Sequence, residues 1–191
     1  NATGKDYDAF MNEQLEQKIG MDGEWRQIDY NRVYWSAVRD MARYGLLILS
    51  GGDWNGEVII NDKAYLNEMI SQSQDLNPSY GYLWWLNGKD SFKQPGLDIV
   101  FNGPVAPGAP ADMFAGLGKN DQKLYVVPSK DLVVVRMGNA ADEDMFALSG
   151  FDDELWQYLN KVMEPAGDIE YTLRHQDIAR KFKVHLPPAY K

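Results

Sequence analysis

The sequence contains no cysteine in its 191 residues, so it forms no disulfide, no thiolate zinc site and no cysteine nucleophile. It also contains no apolar run close to the ~20 residues of a membrane-spanning helix, and we expect no membrane span. No signal peptide is visible. The absence of cysteine suits an oxidising compartment as well as a reducing one, so it leaves the location of the protein open.

Motifs that would mark a catalytic nucleophile or a metal are also missing. No serine is followed three residues later by lysine, and no Gly-x-Ser-x-Gly occurs. The two histidines, His175 and His185, lie near the C-terminal end, where a structural role is favoured over a Ser-His-Asp triad. One Tyr-x-Asn triplet, Tyr65-Leu66-Asn67, falls inside a predicted helix, which favours a structural role. Without cysteine or a His-x-x-x-His pair, we expect no metal and no organic cofactor.

What the sequence does contain is material for a packed core. Hydrophobic residues make up 45% and aromatic residues 13%, so most of the chain is expected to fold. The net charge of −9 argues against nucleic acid as a partner, because phosphate binding needs clustered lysine and arginine. It argues equally against an anionic membrane surface.

Apolar residues at steps of three and four predict four helices. The expected limits are Thr3 or Asp6 to Lys18, Ser36 to Gly51, Asn61 or Asp62 to about Gln72, and Asp152 to Pro165. Ser36 and Asp152 are interpreted as helix N-caps. The residues around Trp25, between the first two helices, are predicted to form a polar loop.

The pattern changes after Pro78 to one that favours strands. Residues 80–86 (YGYLWWL) are rich in strand-forming side chains, whereas residues 94–112 hold four prolines and three glycines and predict a loop. Residues 124–127 and 132–137, joined by Pro-Ser-Lys-Asp, predict an antiparallel hairpin. The fold class is therefore predicted as α+β. We divide it into a helical part (1–77), antiparallel strands with a last helix (78–165), and a polar tail (166–191).

Residues 113–138 are the segment most relevant to chemistry. It predicts a short strand, a glycine-bearing loop or bulge in which Gly116 and Gly118 flank Leu117, and a hairpin. Glycines at this spacing permit unusual backbone angles and a close approach of the backbone to another group. An exposed strand edge there would present backbone N–H groups to an oxyanion, although an ordinary bulge has the same pattern.

Four stretches together resemble the serine β-lactamase-related hydrolases. That family includes class C β-lactamases, penicillin-binding proteins, certain esterases and 6-aminohexanoate-dimer hydrolases. The stretches are TGKDYDAFMNEQLEQKIGM, SAVRDMARYGLLILSGGDWNGEVII, NPSYGYLWWLN and FAGLGKNDQKLYVVPSKDLVVVRMG. They occur in the family's order and extend from about Thr3 to Pro165, so the resemblance covers most of the chain.

The resemblance implies a fold and a set of site residues. The fold would be the C-terminal portion of the β-lactamase/transpeptidase type, acting on an amide, ester or lactam. The Leu117 N–H would be an oxyanion donor between Gly116 and Gly118. Trp84, Trp85 and Gln122 would contact the substrate. The sequence departs from many relatives in having Lys-Asn-Asp before Gln122 where they have a single glycine.

The resemblance also implies what lies elsewhere. The family's Ser-x-x-Lys nucleophile and Tyr motif are expected upstream of these residues, in a longer protein that resembling enzymes would place outside the cytoplasm. An exposed sheet edge would then pair with that N-terminal segment or with a second copy. The alternative interpretation is a non-catalytic ligand-binding or interaction module that uses the same fold. An unrelated α+β domain with coincidental matches is a third.

Overall fold

The computed structural model describes residues 3–141 and 148–163, together with the backbone of two strands at 169–175 and 178–184. The helices are α1 (Tyr7–Met11, continued by a π-helical turn at Asn12–Glu16 and by α-helical Gln17–Ile19), α2 (Val38–Leu49), α3 (Lys63–Met69) and α4 (Gly150–Met163). Helices and antiparallel strands occur in one chain, which confirms the predicted α+β class. Within the described residues, no helix has the length and apolar character needed to span a membrane.

The strands form one four-stranded sheet and several two-stranded ribbons. They are β1 (Glu24–Ile28), β2 (Asn31–Trp35), β3 (Asp53–Trp54), β4 (Glu57–Val58), β5 (Trp85–Leu86), β6 (Ser91–Lys93), β7 (Val100–Asn102), β8 (Phe114–Gly118), β9 (Gln122–Val127), β10 (Leu132–Arg136), β11 (Ile169–His175) and β12 (Ile178–Val184). The central sheet has the order β10-β9-β8-β5 and is antiparallel throughout.

The predicted hairpin at residues 124–137 is confirmed as β9 and β10. A 3-10 turn at Pro128–Lys130 joins the two strands, and Asp131 follows in the left-handed conformation with φ of 47°. The Asp112 carboxylate fixes this turn by accepting from the Ser129 backbone N–H at 2.6 Å and from its hydroxyl at 2.8 Å. The turn residues thus have the chemistry that their positions require.

Each face of the central sheet is covered by a helix. Successive side chains along a strand point to opposite faces, so each strand contributes to both layers. Phe114, Leu124 and Val126 point toward α2 and form one cluster with Trp84 and Leu86. The other face packs against α4. Its cluster includes Trp85, Ala115, Tyr125, Val127 and Trp156. The core therefore consists of two apolar layers separated by the sheet.

Helix α2 lies unusually close to the sheet at Gly45. A Cβ placed there would lie 2.6 Å from Val133 Cγ1 and 2.8 Å from Leu124 Cδ1. Both distances are shorter than side-chain contacts in packed cores, so this position accepts glycine and resists any larger residue. The glycine sets the distance between the helix and the two strands.

Two of the four predicted helix starts are confirmed and two are wrong. Asp6 caps α1 and Asp62 caps α3, each by accepting from a backbone N–H three residues later. Ser36 is not the cap of α2: Ala37 is, and its N–H donates to the Asp40 carboxylate at 3.1 Å. Asp152 lies in the first turn of α4 instead of at its cap, because the helix begins at Gly150.

Strand assignments differ from the sequence predictions in four places. The polar loop around Trp25 is the β1–β2 hairpin, in which Trp25 pairs with Tyr34. The strand expected at 80–86 is limited to β5, because Leu83 has φ of 64° and turns the chain. The proline-rich loop at 94–112 includes β7, which pairs with β6. The polar tail, for which no element was predicted, contains the hairpin of β11 and β12.

Candidate active site

Among the residues that the structure describes, the C-terminal half of β8 is paired along one edge and unpaired along the other. The Asn87 N–H donates to the Met113 carbonyl at 2.9 Å, and the register continues to Trp85 opposite Ala115. In an antiparallel ladder, alternate residues direct their backbone groups to the same neighbour, so Met113, Ala115 and Leu117 face the β5 side. Since β5 has no residue paired beyond Ala115, the Leu117 N–H points to an edge that β5 leaves uncovered.

Glycine has a different role here from the one that its spacing suggested. Gly116 and Gly118 are ordinary extended residues of β8, and neither has a positive φ. A Cβ at Gly116 would meet only Leu124 Cβ, at an ordinary 3.9 Å. The unusual backbone angles lie in the turn that follows, at Asn120 and Asp121, with φ of 59° and 55°. The glycines therefore leave the strand surface free of side chains without supplying unusual backbone angles.

Gln122 closes the turn between β8 and β9. Its side-chain N–H groups donate to the Asn120 carbonyl at 2.9 Å and to the Gly138 carbonyl, and its Oε1 accepts from the Gly138 N–H at 3.0 Å. The amide is thus committed at both ends to the backbone of the chain. The predicted contact between Gln122 and a substrate stays a prediction, and it would require some of these bonds to break.

A buried ionic network lies behind this turn, on the α4 face of the sheet. The side chain of Lys123 is fully buried and lies between two carboxylates, Asp152 at 2.9 Å and Asp121 at 3.1 Å. The Tyr125 hydroxyl donates to the other oxygen of Asp152, and the Ser149 hydroxyl donates to Asp121 at 2.8 Å. The network connects the β8–β9 turn to the first turn of α4.

The protonation states in this network follow from burial and from its neighbours. Burial, and then the charge of Asp152 and the hydrogen bond to it, raise the pKa of Tyr125 far above its usual value, so the phenol remains a donor. Burial alone would raise the pKa of Asp121. Hydrogen bonds from the Ala141 N–H, Ser149 and Lys123 outweigh that effect and hold its pKa below the usual value.

The two adjacent tryptophans point into opposite core layers. Trp84 is 5% exposed and packs between Tyr44, with ring centroids 6.3 Å apart, and Phe114, at 5.1 Å. Trp85 packs edge-on against Tyr80 at 4.9 Å. The structure therefore places Trp84 in the core on the α2 side. Contact of either ring with a substrate stays a prediction.

A cavity of about 350 Å³ borders Trp85. Its wall continues through Tyr80 and through the start of the proline-rich segment at Gln94, Pro95 and Leu97. Lys93 also lines it and is paired with the exposed Asp98 at 3.2 Å. Three residues were predicted to contact substrate. Trp85 lines this cavity, whereas Trp84 and Gln122 do not.

Asn87, which no sequence motif marks, helps to hold the proline-rich segment in place. Its buried side-chain N–H groups donate to the carbonyls of Ala106 and Pro110, each at 3.0 Å, and its Oδ1 accepts from the Ala106 N–H at 3.0 Å. Two side chains of α4 hold the same segment: Asp153 accepts from the Gly108 N–H at 2.8 Å, and Asn160 donates to the Gly108 carbonyl at 2.7 Å. Three side chains thus satisfy the backbone of a loop with few backbone pairs of its own.

The ionic network was also missed from sequence, although one signal pointed to it. The predicted strand was started at Leu124, which left Lys123 outside it. Continuing the two-residue period backwards places Lys123 on the same face as Tyr125 and Val127, both of which are fully buried. A lysine on the buried face of a strand requires a carboxylate partner, and Asp152 is one that meets this requirement.

Other chemistry-bearing residues do not assemble in the described part of the chain. Tyr65 is exposed on α3, where its ring lies 5.9 Å from that of Tyr82. In residues 3–141 and 148–163, no group of three or more histidine, aspartate or glutamate side chains is arranged to hold a metal. The side chains of His175 and His185 lie outside the described residues.

Comparison with known proteins gives a likeness in fold. No protein-family model matches the chain, and no curated protein matches it. Among solved structures, the chain is similar to a Bacillus anthracis protein named "Putative 6-aminohexanoate-dimer hydrolase", with a TM-score of 0.52 and 22% identity. The match covers 80% of this chain and 38% of that chain, so this chain spans less than half of its length. At this identity the likeness shows the fold alone, and it confirms the predicted β-lactamase-type architecture.

Proposed function

We propose that this chain is the C-terminal part of a serine hydrolase and supplies the strand that binds the oxyanion. The observation that supports this most directly is the open edge of β8, where the Leu117 N–H faces no paired residue of β5. A backbone N–H that is fixed in a sheet and directed outward is preorganised to stabilise a developing negative charge. The substrate would be an amide, an ester or a β-lactam.

Other features support the same proposal. The segments that resemble serine β-lactamase-related hydrolases occur in the family's order, and the fold is that of a protein named as a hydrolase. The nucleophile in this proposal is a serine of a Ser-x-x-Lys motif in a segment outside these 191 residues, which contain no such motif. That serine would form an acyl-enzyme, with the carbonyl oxygen held by its own N–H and by that of Leu117.

The buried network would act by positioning. Lys123 and Asp152 connect the β8–β9 turn to α4 and so limit movement of the strand end that carries Leu117. A donor must stay within about 3 Å of the oxyanion to be effective, so rigidity here has direct value for catalysis.

The test separates loss of the backbone N–H of Leu117 from loss of the Leu117 side chain. In the longer protein, Leu117→Pro deletes the N–H, whereas Leu117→Ala keeps it and loses the same apolar contacts. Proline is tolerated because this N–H faces the open edge and makes no ladder bond to β9. We expect kcat for a p-nitrophenyl ester to fall about 10²–10³-fold in Leu117→Pro and less than about tenfold in Leu117→Ala.

Equal loss in the two variants would contradict the assignment of the donor. A longer protein that hydrolyses no ester, amide or lactam would favour the alternative, a binding module in which the cavity beside Trp85 holds a ligand. Circular dichroism and thermal unfolding of each variant establish that the sheet is intact.

We also propose that β10 pairs with a strand of the upstream segment. Within the described residues β10 is an edge strand, bonded to β9 on one side. Two of its apolar residues, Val133 and Val135, pack against the α2 layer and keep the strand in the sheet. An edge strand held in this way presents a row of unpaired N–H and C=O groups to which another strand can bond. Amides of β10 that point away from β9 should exchange slowly with solvent in the longer protein and quickly in this chain. Slow exchange in this chain alone would indicate pairing between copies.

A further inference from the structure

A cavity of about 250 Å³ lies between α1, the β1–β2 hairpin and α2. Its wall is almost entirely apolar and includes three methionines, Met11, Met21 and Met41. Methionine adapts its shape to a partner better than other apolar side chains. Such a wall suits a ligand with a small apolar body.

One carboxylate interrupts the apolar wall. Glu16 is 4% exposed; its Oε1 accepts from Trp25 Nε1 at 2.7 Å and its Oε2 from Asn12 Nδ2 at 3.3 Å. None of the ion pairs formed by the described residues includes Glu16. A buried carboxylate with neutral donors alone is incompletely compensated, so a cation placed beside it would be bound favourably.

Aromatic rings surround the same position. Trp25 lies 5.0 Å from the ring of Tyr7 and 4.9 Å from that of Tyr34. Burial raises the pKa of Tyr34, and the nearby charge of Glu16 raises it further, which agrees with a carboxylate close to the phenol. Rings next to a carboxylate attract organic cations through their faces.

The backbone at Glu16 is also unusual. Helix α1 changes from α-helical to π-helical at Asn12–Glu16 and then returns to α-helical geometry. Such turns are rare inside helices and occur frequently at functional sites. Here the turn carries both Glu16 and the Asn12 amide that binds it.

We propose that this cavity binds a small organic cation, a primary ammonium group on a short aryl or alkyl body. The ammonium would pair with Glu16, and the body would lie against Trp25, Tyr34 and the three methionines. The volume is below the ~300 Å³ at which drug-sized sites begin, which limits the ligand to a small molecule. This site is independent of the hydrolase proposal and uses none of its residues.

The test uses the methionines as reporters. The 191-residue chain, labelled with ¹³C at the methionine methyls, is titrated with phenethylammonium, 2-phenylethanol and phenylacetate, which share one ring and differ in charge. We expect phenethylammonium to shift the signals of Met11, Met21 and Met41 and to leave those of the core residues Met69 and Met113 unchanged. It should bind at least tenfold more tightly than 2-phenylethanol, and phenylacetate should not bind.

A charge-removing variant sharpens the result. Glu16→Gln keeps an acceptor for Trp25 but loses the charge, so affinity for phenethylammonium should fall at least tenfold, to the level of 2-phenylethanol. Glu13→Gln, on the same helix with its side chain 57% exposed, is the matched control and should leave affinity unchanged. If Glu16→Gln does not fold, the ranking of the three probes on the unaltered chain decides. Equal affinity for ammonium and alcohol, shifts at other methionines, or no shift at millimolar probe would overturn the proposal.

Discussion

The two faces of the central sheet are stabilised in different ways. On the α2 face, Phe114, Leu124 and Val126 pack against apolar residues, and Gly45 brings the helix close. On the α4 face, Lys123 is held between Asp121 and Asp152. Both faces bury an apolar cluster, and the α4 face holds buried charged groups in addition.

The difference shows where this fold tolerates change. An apolar contact can be replaced by another of similar volume at modest cost, whereas a buried charge cannot lose its partner without a large penalty. The ionic face is also the one that adjoins the β8–β9 turn and the proposed donor. The α4 face therefore depends on the placement of charged groups, whereas the α2 face depends on the packing of apolar side chains.

The largest effect is expected from removing the central cation. Lys123→Met leaves the carboxylates of Asp121 and Asp152 buried without it, so the free energy of unfolding should fall by about 3–5 kcal/mol in urea titrations. The double variant Lys123→Met/Asp152→Asn should lose less than the sum of the two single variants. Lys130→Met, at an exposed turn position, is the control and should change stability by less than about 0.5 kcal/mol. A loss below about 1 kcal/mol in Lys123→Met would show that the two faces do not differ as described.

A smaller effect is expected on the apolar face. Gly45→Ala forces a methyl group into Val133 and Leu124, and the resulting shift of α2 should reduce the free energy of unfolding by about 1–3 kcal/mol. Gly150→Ala serves as the comparison, because a Cβ there meets no atom within 4 Å. Equal stability of the two variants would mean that α2 adjusts freely on the sheet.

The smallest effect concerns acid. Because the pKa of Asp121 is lower in the folded protein than its ordinary 3.8, its ionised form stabilises the fold at pH values above 3.8. That stabilisation is lost as the pH falls through the lower, folded-state pKa. In urea titrations between pH 5 and 2, Asp121→Asn should therefore show a shallower loss of stability than the unaltered chain. An unchanged slope would assign the acid sensitivity to other carboxylates.

The sequence predicted the apolar face better than the ionic one, and the reason is periodicity. Leu124–Val127 and the α2 helix have repeating apolar patterns that identify their buried sides directly. Lys123 and Asp152 lie 29 residues apart, and no local pattern shows that they meet. The cap of α2 has a local cause instead: the Asp40 carboxylate, three residues along the chain, accepts from the N–H of Ala37, so the helix is capped at Ala37 and not at Ser36.

The candidate site was predicted in part. Gly116 and Gly118 predicted a loop or bulge after a short strand, whereas both lie within β8. The open edge beside Leu117 depends on where β5 begins, and that is set by the turn at Leu83. Trp84 and Trp85 were indistinguishable in sequence, since adjacent residues of a strand always face opposite sides and the pattern does not say which side is the core. In this structure both sides belong to the core, since Trp84 packs on the α2 side and Trp85 on the α4 side.

The proposal that this chain is the oxyanion-binding part of a serine hydrolase has its sharpest test in intact-mass spectrometry with an acylating probe. The longer protein and this chain are each incubated with a fluorophosphonate and with a β-lactam, and the modified residue is mapped. We predict one covalent adduct per molecule of the longer protein, on the serine of an upstream Ser-x-x-Lys, and none on this chain. A stoichiometric adduct on this chain alone would contradict the proposal that the nucleophile lies upstream. No adduct on the longer protein would contradict the proposal of a serine hydrolase.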